Sequence, residues 1–266
     1  MELPIIKNGT THGKATLPAQ FSEPIRIDLI KRAFLAIQSH QRQSYGAKVG
    51  AGQRQVGKLS RRRRKYKGSY GKGISRVPRK TMSRNGSQMS WVGAVAPGTV
   101  GGREAHPPKA WKDWNQKLNK NENRKATRSA MAASLDKTLA AARGHAVPSQ
   151  YPFIVSDIET IKSTQDLLAL LTKMGLEGEL ARASKRTIRA GKGKGRGRPY
   201  QHAVGPLIVF SAPCDAQAAA HNIPGVDTIT INKLNAHILA PGGHAGRLTL
   251  YTDKAIEKLS TEKLFA

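Results

Sequence analysis

The chain has 266 residues, with 45 Lys or Arg against 17 Asp or Glu, a net charge of +28 and an isoelectric point near 10.7. A single cysteine, Cys214, excludes an intrachain disulfide framework and fits a reducing compartment. Nowhere does an apolar run of about 18 residues occur, and residues 1–10 lack a long apolar core, so neither a membrane span nor a secretory signal is expected.

The first element is a β-hairpin, Leu3 to Lys7 and Gly13 to Leu17, joined through Asn8-Gly9-Thr10 and closed by Pro18. Asn-Gly is the strongest short hairpin signal. Asp28 then caps a helix with Ile30, Ala33, Phe34 and Ile37 on its inner face. The helical pattern fades through Gln41, Arg42, Gln43 and Gly46.

Residues 44–110 show no sustained helical or alternating period. Counted from Gln43 to Ala110 they hold sixteen Lys or Arg and one acid, Glu104, for a net +15. The densest point is the run Arg61 to Lys65. Such a stretch repels itself and has too few large apolar groups to offset its ordering entropy. Its aromatics, Tyr45, Tyr66, Tyr70 and Trp91, suit stacking on bases or sugars beside phosphate neutralisation. We read it as an arm that becomes ordered inside folded nucleic acid. The other reading of the charge alone is a solvated linker.

Beyond the arm, Asn119 and Glu122 have capping-box spacing ahead of an Ala-rich helix reaching Ala142, with Gly144 as the stop. From Tyr151 the rhythm becomes strand, helix, strand. Phe153 to Val155 and Leu207 to Phe210 are short buried strands, Val226 to Ile231 a further one, and Leu248 to Tyr251 the last. Ser163 caps a helix with Leu167, Leu168, Leu170 and Leu171 inside, a short helix falls near Lys233 to Leu239, and Thr252 or Asp253 caps the terminal helix. Between them lies a second basic cluster, Arg182 to Arg198, with eight cations and no acid. Removing both clusters leaves about +5, an ordinary surface, so concentrated charge of this kind points to a polyanion.

Apolar strands alternating with helices argue an α/β body, a mostly parallel sheet with helices on both faces. Residues 1–43 and 111–266 form it, and 44–110 are a long basic internal loop. Ligands of such sheets sit at the carboxyl ends of strands, which here offer Ser156, Asp157 and Ser211. Asp157 reads as a helix start. Gly191 to Gly197 lacks the Walker spacing and reads as a basic hairpin tip. The eight histidines include no pair at metal-ligand spacing, and His145 follows a helix stop, where a cation complements the dipole. No catalytic constellation, metal site or cofactor site emerges, and Cys214 reads as a packed thiol.

Several segments, spread along the whole chain, resemble the archaeal type of the large-subunit ribosomal protein four family. They are Asp28 to Arg32, Ser75 to Arg79, Gly101 to Lys109, Gly195 to Tyr200, Pro224 to Asp227 and Leu239 to Leu248. The resemblance implies a Rossmann-like body on the outside of the large subunit and a loop threading ribosomal RNA, its tip lining the nascent-peptide exit tunnel. It implies no cofactor and no catalysis, partners in rRNA, neighbouring ribosomal proteins and the nascent peptide, no membrane, and a cytoplasmic place within the subunit. The match at Ser75 to Arg79 sets the tunnel-lining tip at Gly68, Ser69, Tyr70, Gly71, Lys72, Gly73 and Arg76. The run at Arg61 to Lys65 and the tract Thr81 to Ser90 depart from the family pattern, and no lysine-rich tail of the eukaryotic form follows Ala266.

The RNA contacts expected in the loop are Arg54, Lys58, Arg61, Arg62, Arg63, Arg64, Lys65, Tyr66, Lys67, Tyr70, Lys72, Arg76, Arg79, Lys80, Arg84, Trp91, Arg103, His106 and Lys109. In the second cluster they are Arg189, Lys192, Lys194, Arg196, Arg198 and Tyr200. The alternatives are an RNA-processing or RNA-modifying enzyme with a basic arm, and a chromatin-like DNA binder.

Overall fold

Strand β1 (Glu2–Lys7) turns into β2 (Thr10–Thr16) at Asn8 and Gly9, whose φ values of 49° and 87° are the pair a tight right-twisting hairpin turn requires. This computed structural model describes residues 2–65, 68–86 and 88–265. Helix α1 (Ile27–His40) follows, with Ile30, Ala33, Phe34 and Ala36 buried. The chain then carries β3 (Arg79–Asn85) and β4 (Gln88–Gly93), and returns to helices as α2 (Lys120–Ser134) and α3 (Lys137–Ala142). After these come β5 (Ile154–Val155), α4 (Thr164–Lys173), α5 (Glu177–Ser184), β6 (Arg186–Ile188) and β7 (Tyr200–His202). The last elements are β8 (Leu207–Phe210), α6 (Asp215–His221), β9 (Asp227–Thr230), α7 (Ala236–Leu239), β10 (Thr249–Thr252) and α8 (Asp253–Thr261).

The elements fall into two compact units, Met1–Gln41 with Asn115–Ala266, and Arg42–Trp114. In the first, a six-stranded sheet has the order β2-β1-β5-β10-β8-β9, parallel throughout except for the β1–β2 hairpin. Strand β8 explains why so short a run suffices. All four of its side chains are buried; Leu207 and Val209 enter one core with Ile154, Tyr251, Met131 and Leu259, while Ile208 and Phe210 enter the other with Val155, Leu167, Leu171 and Leu250. Each such side chain contributes roughly 1.5–3 kcal/mol when withdrawn from water. The first core lies under α1, α2, α7 and α8, the second under α4 and α6, so both faces of the sheet are covered as a mostly parallel α/β architecture demands.

Several expectations need correction. Arg26, not Asp28, is the N-cap of α1; Asp28 sits in the first turn, held in an ion pair with Arg26 at 2.6 Å. Asn119 occupies the N-cap of α2 without a side-chain hydrogen bond. The Ala-rich run breaks after Ser134, because Asp136 accepts hydrogen bonds from the backbone N–H groups of Thr138 and Leu139 and starts a second helix. Leu168 points outward from α4, while Ser163 and Thr252 cap their helices as expected. Asp157 does precede a helical turn, Ile158–Thr160, but with φ of 59° and no capping bond; its carboxylate pairs instead with Lys7 at 2.6 Å.

The second unit is corrected most. Strands Arg79–Asn85 and Gln88–Gly93 pair antiparallel, Arg79 opposite Gly93 and Asn85 opposite Gln88, where no period was expected. The Asn85-Gly86 dipeptide is the signal for it, the same one that marks the first hairpin. The alternation of β4, with Met89 and Trp91 more buried than their neighbours, is short enough to be lost among the cations.

Candidate nucleic-acid interface

Within the second unit, Lys58 and Arg79 form a backbone bridge, each N–H donating to the other's carbonyl at 3.4 Å. That bridge gathers Lys58, Arg61, Arg62, Lys65, Arg79 and Lys80 around a hollow of about 770 Å³ with Trp91 in its wall. No acid among the described residues lines it. Six cations around one concavity repel each other, and a polyanion relieves that repulsion most effectively.

The aromatic rings here organise cations. Arg63 and Arg76 guanidinium groups lie over the Tyr70 ring, 4.9 and 5.0 Å from its centre, and Arg63 Nη2 donates to the Tyr70 hydroxyl at 3.0 Å. Lys72 and Arg79 stand over Trp91 at 5.5 and 5.6 Å. Arg79 Nη1 also donates to Ser69 Oγ, which is buried. Each cation over a ring is worth roughly 0.5–1 kcal/mol when exposed. Gly71 and Gly73 lie in the left-handed region with open space where a side chain would be, and Gly68 closes a turn onto the Lys65 carbonyl. Tyr66 and Lys67 lie outside the described residues.

Other residues expected to touch RNA stand apart from that hollow. Arg54 Nη2 donates to the Val49 carbonyl, Arg84 Nε to that of Gly86, and the Arg103 backbone N–H to that of Val95. His106 and Lys109 line a different recess, together with Trp111.

The second basic cluster belongs to the first unit. Strands β6 and β7 pair antiparallel, Ile188 opposite Tyr200, with the loop 189–199 carrying the exposed Lys192, Lys194, Arg196 and Arg198. Arg189 is turned inward along the loop, donating to the carbonyls of Arg198 and Tyr200 at 3.2 Å. The Arg186 guanidinium lies 3.7 Å from the centre of the Tyr200 ring. Arg182 is not available to a ligand in the way its neighbours are. Its Nε and Nη2 grip the buried Glu179 carboxylate at 2.8 and 2.6 Å, and Nη2 reaches the Val204 carbonyl at the far foot of the hairpin.

Glu179 also receives His145 Nδ1 at 2.7 Å and the Ala146 N–H at 2.8 Å. Burial alone would raise its pKa, but the donors from Arg182, His145 and Ala146 outweigh it and hold the carboxyl at about 2. His145 is therefore a core residue rather than a dipole-complementing surface cation. Arg247 is likewise buried, bonded to the carbonyls of Gly205 and Ile238 and to Asp227, and this second anchor fixes the other side of the same foot.

At the carboxyl ends of the strands, where an α/β sheet takes a ligand, the Glu159 carboxylate is already installed. It accepts hydrogen bonds from Ser211 N–H, Ser211 Oγ and Thr252 Oγ1, each at 2.9 Å. Ser156 Oγ donates to Asp253 at 3.0 Å. Ser156 and Ser211 are thus committed to structure. Burial pushes the Cys214 thiol up, away from reactivity. Among the described residues no three of His, Cys, Asp and Glu converge to hold a metal ion, and no helix is long and apolar enough to cross a membrane.

Residues missed in the sequence are Arg42, Trp111, Lys112 and Trp114. The Tyr45 and Trp114 rings stack, centres 4.8 Å apart, and the Arg42 guanidinium lies over both, at 5.1 and 4.5 Å. The nearest signal is the run Lys109-Ala-Trp111-Lys-Asp-Trp114, cations and rings interleaved, but its partner is some seventy positions away in the chain.

The class the fold defines is a mostly parallel α/β body carrying two concentrated basic elements. The model of the ribosomal protein L4/L1 family matches residues 15–262, and the chain belongs to that family. It is 46% identical over the whole of both chains to the large ribosomal subunit protein uL4 of Nanoarchaeum equitans. To the protein of that name from Methanococcoides burtonii it is 41% identical, over 95% of this chain and 94% of the relative. Identity to its counterpart in Halobacterium salinarum is also 41%, over 95% and 96%.

Proposed function

We propose that this chain is a structural constituent of the large ribosomal subunit and that residues 42–114 bind large-subunit rRNA and assist assembly. The observation that carries the reading is the hollow ringed by Lys58, Arg61, Arg62, Lys65, Arg79 and Lys80 around Trp91, with no acid among the described residues that line it. Cations so placed neutralise phosphates and release counterions, the main source of affinity for nucleic acid. The loop 189–199 adds a second patch. Names of the archaeal relatives support the subunit.

In the same reading Gly68, Ser69, Tyr70, Gly71, Lys72, Gly73 and Arg76 line the nascent-peptide tunnel, the protein works in the cytoplasm beside other large-subunit proteins, and it catalyses nothing. Occupation of the strand ends by Glu159 supports the last point, since a substrate would have to displace three hydrogen bonds. The test is co-sedimentation with large subunits through a high-salt wash. Wild-type chain is retained, and Arg61→Ala/Arg62→Ala/Lys65→Ala chain is lost at lower salt. Equal loss of both at every salt concentration contradicts the role of the hollow. A Tyr70→Cys chain should crosslink to a stalled nascent peptide, and failure to do so removes the tunnel assignment alone.

A further inference from the structure

Residues 102–110 are held by unusually close backbone approaches. A side chain at Gly46 would meet the Ala110 nitrogen at 2.4 Å, and one at Gly52 would meet the Arg103 backbone at 2.6 Å, so only glycine allows them. Ala47 N–H donates to the Pro108 carbonyl at 2.9 Å. On this frame stands a recess of about 700 Å³ whose walls include Tyr45, Pro107, Pro108, Trp111 and Trp114. The Tyr45–Trp114 stack is covered by Arg42, while Trp111 is 73% exposed. An indole so exposed, with the Lys109 ammonium over it, offers a stacking surface for a base.

The same recess holds Glu104, the one acid between residues 43 and 110. Sixteen cations share that stretch, yet among the described residues Glu104 forms an ion pair with none of them. A lone carboxylate in so positive a field lowers affinity for phosphate. Its chemistry is acceptor-only, two oxygens side by side, which matches a pair of adjacent donors. Guanine is the base that presents two adjacent N–H donors, N1–H and the N2 amino group, on one edge. Adenine and cytosine set a ring acceptor beside their amino group, and uracil flanks its N–H with carbonyls. A cationic protein side chain could also donate, but the +15 around Glu104 opposes its approach.

We propose that this recess binds an unpaired guanine of RNA, stacked on Trp111, with N1–H and the N2 amino group donating to Glu104. Lys109, 5.5 Å from the centre of the Trp111 ring, is placed to meet the flanking phosphate. The inference rests on the RNA-binding reading above and adds base identity to it.

The test is fluorescence anisotropy of the full chain with a short uridine-rich RNA carrying one central guanine, adenine or inosine. Guanine should bind roughly 5- to 100-fold tighter than adenine, the discrimination typical of one good two-donor pair, with inosine, which lacks the amino group, in between. Glu104→Gln should erase the preference while total binding persists. Trp111→Ala should weaken all three RNAs by a similar roughly 5- to 100-fold, the value of one stacked base. The Arg61→Ala/Arg62→Ala/Lys65→Ala chain should weaken all three and keep the ratio. Equal affinity for the three RNAs, with large-subunit rRNA still bound, overturns the guanine site and leaves the broader reading standing. A preference that survives Glu104→Gln overturns it too. No binding of rRNA at all overturns both.

Discussion

His145 Nδ1 lies 2.7 Å from the Glu179 carboxylate, and both side chains are shut away from water although 34 positions separate them in the chain. The carboxylate is held ionised, so it accepts and the imidazole nitrogen carries the proton. Arg182 then links this pair to the Val204 carbonyl, tying the entry and exit of the β6–β7 hairpin to one buried charge. A cationic hairpin repels itself, and this clamp holds its two ends together at the foot.

Removing the acid from that clamp should be strongly destabilising. Glu179→Ala leaves a buried imidazole, the Ala146 N–H and a guanidinium without their acceptor, a loss of roughly 3–5 kcal/mol. Glu179→Gln keeps an acceptor oxygen and should lose less. Urea unfolding checks both, and an Ala variant as stable as wild type contradicts the clamp.

Acid should act through the same residue. The folded carboxyl titrates at about 2, below its ordinary 4.5, so the unfolded chain binds this proton first on acidification. The stabilisation is complete above about pH 5, falls between pH 4.5 and 2, and is absent below pH 2. Unfolding free energy measured across that window should flatten in Glu179→Gln. An unchanged acid limb would assign it to other carboxylates.

The exposed cations of the hairpin loop should matter to RNA and not to folding. Changing Lys192, Lys194, Arg196 and Arg198 together to Ala should leave stability within about 0.5 kcal/mol, since none is buried. Every phosphate that the variant no longer neutralises should reduce the log–log salt slope of rRNA binding by roughly 0.7 to 0.9. A slope identical to wild type means the loop is only a solvated surface.

The first unit should fold without the second. Ser39 Oγ accepts from the Gln116 N–H at 2.9 Å, and His40 Nε2 lies 3.1 Å from the Gln116 carbonyl, so the chain ends left by excising Arg42–Trp114 already stand together. Replacing that span with a short Gly-Ser linker should give a cooperative thermal transition, because both cores lie wholly outside it. A molten product would show that residues 42–114 are needed for the fold.

How much of the molecule was legible in its sequence follows the range of the interactions. The sequence determined whatever depends on neighbours a few positions apart: the Asn8-Gly9 turn, the Ser163 and Thr252 caps, the apolar run Leu207 to Phe210, and the concentration of cations at Arg61 to Lys65. Local signals failed where two of them competed, as at Asp136, whose side chain breaks an Ala-rich run of high helix propensity, or where charge masked a short alternation, as in β4. Only the tertiary structure decided which charges are spent inside. Glu179, Arg182 and Arg247 look in sequence like any surface charge, and the Tyr45–Trp114 stack joins rings from opposite ends of the unit. Burial and through-space pairing depend on where the chain returns, and no spacing along it encodes that distance.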